Sequence, residues 1–200
     1  FVSDSHELRI ATYTYQDVEL AFPADADVTL LVEKSPVGGL PDKGLLCALQ
    51  RGGVRVALYD GELRFMHAKY MIKDGASVLV STDNIGTQHR GWGIIIDNAT
   101  IAMQFTTVFT DDLSDSQPLQ CSNETNTGQR KEYLRYFSQQ AFSGQAAEAV
   151  FVPGAEQTII DLLVSARERI YVQELYIYKE WGESSNPFLD VLIEKAREGV

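Results

Sequence analysis

Six short β-rich runs, with a helical pattern between the second and the third, fill the first half of the chain and point to a mixed α/β sheet. Leu8 to Tyr15 alternates and is rich in β-formers, which predicts a strand. Val28 to Glu33 is almost wholly apolar, as a strand buried on both faces should be. A turn-rich stretch from Ser35 to Pro41 makes a loop, and Lys43 to Arg51 spaces its apolar residues for a helix that stops at Gly52-Gly53. Further strands are expected over Val54–Tyr59, His67–Ile72, Ala76–Ser81 and Gly93–Asp97.

Beyond Asp97 the signals change. Thr100 to Leu113 reads as a helix closing this unit, despite β-branched threonines that weaken helices. Ser114 to Gln129 is polar, contains Pro118 and reads as a linker; Arg130 to Phe142 is amphipathic and helical. Gln157 to Arg169 is a stronger helix, followed directly by a strand over Ile170–Tyr178. Some of this repeats what came before. Arg169-Ile170 opens a Tyr-rich strand as Arg9-Ile10 does, and the helix ending Ala196-Arg197-Glu198-Gly199-Val200 parallels the one ending at Gly52-Gly53-Val54. The expected organisation is a first repeat over 1–113, a linker and connecting helix over 114–149, and the opening of a second repeat over 150–200.

A chain of 200 residues supports one substantial core or two modest ones, and 44% hydrophobic content fits a globular protein. The net charge of −11 repels phosphate backbones at long range and argues against a broad non-specific grip on nucleic acid. Cys47 and Cys121 lack metal-like spacing and read as two free thiols. No apolar run approaches the ~18 residues of a spanning helix. No signal peptide is visible, and the chain opens at Phe1. Asn98-Ala99-Thr100 and Asn123-Glu124-Thr125 fit the glycosylation sequon.

His67-Ala68-Lys69 carries the chemistry. On a strand, the period of two puts both side chains on one face, so an imidazole and an ammonium aim together at one point. That pairing suits a phosphate: lysine neutralises non-bridging oxygens while a neutral imidazole nitrogen attacks phosphorus. Asp74 follows at the strand's end, and Asn84 lies one strand further on, in a turn able to return its amide to the same place.

The full run, His67-x-Lys69-x4-Asp74-x6-Ser81-Thr82-x-Asn84, resembles the HKD signature of the phospholipase D superfamily, which reads His-x-Lys-x4-Asp-x6-Gly-Ser-x-Asn. The resemblance implies a mixed β-sheet sandwiched between helices. It also implies a phosphodiester hydrolase or transphosphatidylase acting through a phosphohistidine without metal or other cofactor. It makes His67, Lys69 and Asp74 the catalytic set and Lys69, Asn84 and Thr82 the binders of substrate phosphate, with Asp74 bracing a loop through backbone hydrogen bonds. His67 is either the nucleophile or the acid that protonates the leaving oxygen. The substrate would be a phosphodiester, phospholipid ahead of nucleic acid. A second HKD motif is required, from the rest of the protein or from a homodimer. A nuclease of the same superfamily and a degenerate repeat that only binds a diester or a partner are the alternatives.

Two departures bear on the chemistry. Ser81 stands where the family has glycine, and Arg90-Gly91-Trp92 stands where many members place a glutamate that orients the histidine; Asp97 is a distant substitute. Elsewhere, the bland readings prevail: His6 as an exposed terminal residue, His89 and Arg90 as a solvated loop pair, Trp92 and Trp181 as core or interface. Tyr13, Tyr15, Tyr171, Tyr176 and Tyr178 read as strand packing, and Glu33 and Glu174 as ordinary strand-end carboxylates.

Overall fold

The computed structural model describes residues 1–16, 20–39, 41–86, 91–122, 143–144, 146–172, 174, 177–181 and 183–200. It forms two compact units, Phe1–Ala146 and Ala147–Val200. The first is built on strands β1 (Glu7–Thr12), β2 (Asp27–Glu33), β3 (Arg55–Tyr59), β4 (Lys69–Lys73), β5 (Ser77–Ser81), β6 (Gly93–Asp97) and β7 (Ser116–Pro118), with helices α1 (Lys43–Arg51) and α2 (Ala99–Ser114). They make one seven-stranded sheet in the order β6-β5-β4-β1-β2-β3-β7. The pairs β1–β2 and β2–β3 are parallel, and β1–β4, β4–β5, β5–β6 and β3–β7 are antiparallel. The mixed sheet with helices expected from the sequence is therefore present.

Alternation along the central strands feeds two cores. Leu8, Ile10, Val28, Leu30, Val32 and Val56 pack with Leu45, Leu46 and Cys47 of α1. Successive side chains of a strand point to opposite faces, so the residues between them, such as Ala11 and Leu31, serve the other layer. On that layer Tyr70 meets Phe105 and Phe109 of α2 edge-on, with ring centroids 5.0 and 6.5 Å apart. α2 starts where Asn98 accepts the N–H groups of Thr100 and Ile101. Its threonines are accommodated because Thr106, Thr107 and Thr110 return their hydroxyls to carbonyls one turn back.

Two expectations need correction. Cys47 and Cys121 are not free thiols: they form a disulfide, with Cα atoms 5.8 Å apart. β7, inside the stretch read as linker, causes this. It pairs with the outer edge of β3, and Leu119 then donates to the Val56 carbonyl and carries the chain back over α1. The strand expected over 170–178 is also not formed at its described positions, where no neighbouring strand takes its hydrogen bonds. The helix expected over 130–142 lies outside the described residues.

The second unit carries α3 (Glu156–Ser165), the two-residue strands β8 (Glu180–Trp181) and β9 (Ser184–Ser185), and α4 (Pro187–Glu198). α4 is capped by Asn186, which accepts from Phe188 and Leu189, and ends on left-handed Gly199. Tyr171 and Tyr178, both in the stretch expected to be a strand, are exposed rather than packed. No helix among the described residues is long and apolar enough to cross a membrane.

Candidate active site

The register of β1 on β4 sets the site. Thr12 is opposite Lys69, so the carboxyl end of β1 and the amino end of β4 meet at one edge of the sheet. β5 runs antiparallel to β4 and delivers Ser81 to that same end. From there the chain turns, and Ile85 bridges to Tyr15 just beyond β1. Tyr13, Thr14, His67, Lys69, Asp83 and Asn84 are thereby gathered from three segments.

His67 precedes β4 rather than lying in it, yet its side chain meets that of Lys69 as the period of two requires. Lys69 Nζ is 3.2 Å from His67 Nδ1 and 3.4 Å from Nε2, and it donates to the His67 carbonyl at 2.8 Å. The Tyr13 ring packs on the imidazole with centroids 4.6 Å apart, and the Lys69 ammonium is 5.7 Å from the Tyr13 centroid. Asn84 is tied to the end of β1, its Oδ1 accepting the Thr14 N–H at 3.4 Å. The cluster opens to solvent on the His67 side.

The electrostatics suit a phosphate ester. Partial burial, with the Lys69 charge second, lowers the His67 pKa below its usual 6.5, so the imidazole is neutral at pH 7. Burial brings Lys69 down from 10.5 to about 8, against an opposing pull from the Asp83 carboxylate, so the ammonium is still mostly charged at pH 7. A neutral nitrogen and a cation within hydrogen-bond distance form the pair that in-line attack on a phosphodiester needs.

Two residues expected at the site are bonded to backbone. Asp74 is at the opposite end of β4, where its Oδ1 accepts the backbone N–H groups of His6 and Glu7, each at 2.8 Å. These bonds, the Glu7 one foremost, hold the carboxyl below its usual range. Asp74 thus takes up the bracing position and is not beside the imidazole. Its backbone is left-handed, with φ 52°. Thr82 has backbone partners at the site's own end of the sheet: its hydroxyl accepts the Trp92 N–H at 2.9 Å and its own N–H donates to the Trp92 carbonyl at 2.9 Å, tying the end of β5 to the start of β6.

The departures from the motif have local explanations. Ser81 closes the turn itself, its Oγ accepting the Asp83 N–H at 3.1 Å. Close approach falls instead to Gly91, where an added Cβ would come within 2.6 Å of the Asp83 Cβ. His89 and Arg90 lie outside the described residues. Asp97, the distant substitute for the missing glutamate, accepts from Ser77 at the far end of β5.

Two contributors were passed over as strand residues. Tyr13 forms a wall of the site, and Glu33 is buried at the end of β2, one of its oxygens 2.7 Å from the Met66 N–H. Neither has a short-range signature, because each meets the motif only through the sheet. A cavity of about 290 Å³ lies elsewhere, lined by Lys34, Lys43, Leu46, Leu58 and Leu119, and holds none of the motif residues.

The family described as "Cardiolipin synthase, PLD-like domain" matches residues 4–113. The fold is similar to that of Nuc, a phospholipase D family member from Salmonella typhimurium, at TM-score 0.50 and 14% identity over 60% of this chain and 86% of that one. It is equally similar to NucT from Helicobacter pylori, at TM-score 0.50 and 13% identity over 58% of this chain and 84% of that one. At such identities the likeness speaks for the fold alone. A search of curated proteins found no matching sequence.

Proposed function

The chain belongs to the phospholipase D-like domain family named for cardiolipin synthase, and from that premise we propose that it supplies one HKD half-site of a phosphodiester hydrolase or transphosphatidylase. The observation that carries this reading is the Lys69 ammonium set against both nitrogens of a neutral His67, with Asn84 brought to the same end of the sheet.

In the proposed reaction a diester phosphate displaces the Lys69 ammonium from the imidazole, and Lys69 and Asn84 take its non-bridging oxygens. One imidazole nitrogen of a histidine pair attacks phosphorus and the bond to the leaving oxygen breaks, while the partner histidine gives that oxygen a proton. Water or an alcohol then attacks the phosphohistidine, losing its proton to the partner and freeing the first imidazole. His67 fills either of the two roles, attacking as the neutral imidazole or giving the proton as the imidazolium. The other histidine comes from a second HKD motif, in a following repeat that begins near residue 150 or in a second copy of this chain. Lys69, Asn84 and the imidazoles carry the charge, so the proposal includes no metal. Phospholipid is the favoured substrate, since a net charge of −11 works against nucleic acid.

Trapping decides the matter. The full protein is incubated with a labelled phospholipid and quenched under alkaline conditions that preserve phosphohistidine. A labelled histidine-containing adduct is expected, and failure with phospholipid and nucleic acid diesters alike would overturn the reading. The Trp92-bound Thr82 hydroxyl and the absent orienting glutamate favour a second reading, a repeat that binds a diester without turnover. Binding that persists with no turnover, unchanged by His67→Ala, would select it.

A further inference from the structure

An imidazole that attacks or protonates must be held in one orientation. Among the described residues the hydrogen-bond partner of the His67 ring is Lys69, which must leave for the phosphate when substrate arrives. Something else has to fix the ring.

Glu33 is 5% exposed, inside a unit whose carboxylates otherwise lie mostly at the surface. Its two oxygens serve two different strands of chain. Oε2 accepts the Met66 N–H at 2.7 Å, one residue before His67, and Oε1 accepts the Ser35 N–H at 2.9 Å. The Ser35 loop then supplies the Val37 N–H to the hydroxyl of Tyr13. Tyr13 in turn packs edge-on against both Phe65 and the His67 imidazole. One buried carboxylate thus fixes the backbone under the histidine and, through a short loop, the aromatic wall against its ring.

We propose that Glu33 is a positioning residue for His67, acting through the Met66 N–H and the Ser35–Val37–Tyr13 connection in place of a carboxylate bonded directly to the imidazole. The claim rests on the half-site reading above, but it makes a prediction about His67 that needs no turnover. Glu33→Gln keeps the shape and one acceptor oxygen while setting an amide N–H₂ against one of the two backbone donors. The ring is then released toward solvent and away from Lys69. Loss of a negative charge alone would move the His67 pKa down, whereas release of the ring moves it up toward the ordinary 6.5. The direction therefore separates positioning from simple electrostatics.

The test is an NMR titration of the His67 ring nitrogens in the 200-residue chain, wild type against Glu33→Gln and Glu33→Asp, with Val78→Ala in the buried face of β5 as a control for lost stability. The expected results are a raised His67 pKa and an averaged tautomer signature in Glu33→Gln, partial return in Glu33→Asp, and no change in Val78→Ala even though its Tm falls. Tungstate, a tetrahedral dianion, is then added to each. Binding about tenfold weaker in Glu33→Gln than in wild type is expected, with little loss in Val78→Ala.

An unchanged or lowered His67 pKa in a folded Glu33→Gln protein overturns the inference, as does a rise matched by Val78→Ala. Should Glu33→Gln fail to fold, Tyr13→Leu asks the same question from the other end of the connection, with the same expected rise and the same overturning result. Wild type that binds no tungstate would count against the half-site reading. The titration would still decide the role of Glu33.

Discussion

Lys69 is set to lose its proton within reach of ordinary buffers, and anion binding should register it. With a pKa of about 8 rather than 10.5, the ammonium is roughly nine-tenths charged at pH 7 and about one-tenth charged at pH 9. If the anion binds only the charged form, its affinity should fall about tenfold between those pH values. An ordinary lysine would give a change of only a few per cent, roughly, over the same range. Tungstate does not titrate there, and His67, held below its usual 6.5, adds little slope above pH 7. Isothermal titration at pH 7, 8 and 9 measures the effect. Lys69→Met should bind about tenfold or more weakly at pH 7, as expected from losing a charge-assisted hydrogen bond, and should be flat with pH. A flat wild-type profile, or a Lys69→Met profile that still falls, would refute the assignment of Lys69 to the anion site. The linked effect on stability has a definite sign. Below pH 8 both folded and unfolded lysine are charged, and from about 8 to 10.5 the folded state loses its proton first, so Lys69 favours folding progressively as pH rises through that window.

Other perturbations follow from single contacts. Reducing the Cys47–Cys121 disulfide, or replacing both cysteines with alanine, should destabilise the fold by up to about 4.5 kcal/mol, the chain-entropy value for a separation of 74 residues; equal denaturation midpoints would show that the bond does not form. Asp74→Ala should lower stability by about 1 kcal/mol, a modest figure because the carboxylate is exposed, with no effect on the His67 titration. The Asp74 contribution is present at neutral pH and should fade as acid titrates it below its usual range, which urea unfolding at pH 7 and pH 3 would detect. Gly91→Ala should displace Asp83 and weaken tungstate binding while the far-UV circular dichroism stays unchanged. Lys69→Met should raise the His67 pKa, since the ammonium is one of the two causes holding it down.

The sheet was legible because its signals are local. Strands β1 to β6 and both helices of the first unit follow from alternation, apolar runs and glycine stops, each read within a window of about ten residues. His67 and Lys69 were legible for the same reason, since a spacing of two fixes their relation before any tertiary contact exists. What stayed hidden depends on distant partners. Nothing near Cys121 says that it meets Cys47; only the addition of β7 to the β3 edge brings them together. Tyr13 and Glu33 look like any strand residues until β1, β2 and the segment before β4 are laid side by side. The second partner of Thr82 was hidden too, because a hydroxyl that suits phosphate equally suits the Trp92 backbone. At its described positions the stretch 170–178 shows the converse, a local β signal without a neighbour to pair with.

The most direct test of the account is a crystal structure of the chain with tungstate bound. One anion is expected at the sheet end, its oxygens in hydrogen-bond contact with Lys69 Nζ, a His67 ring nitrogen and the Asn84 side-chain amide. An anion bound away from His67, or the three side chains directed to different places around it, would contradict the account.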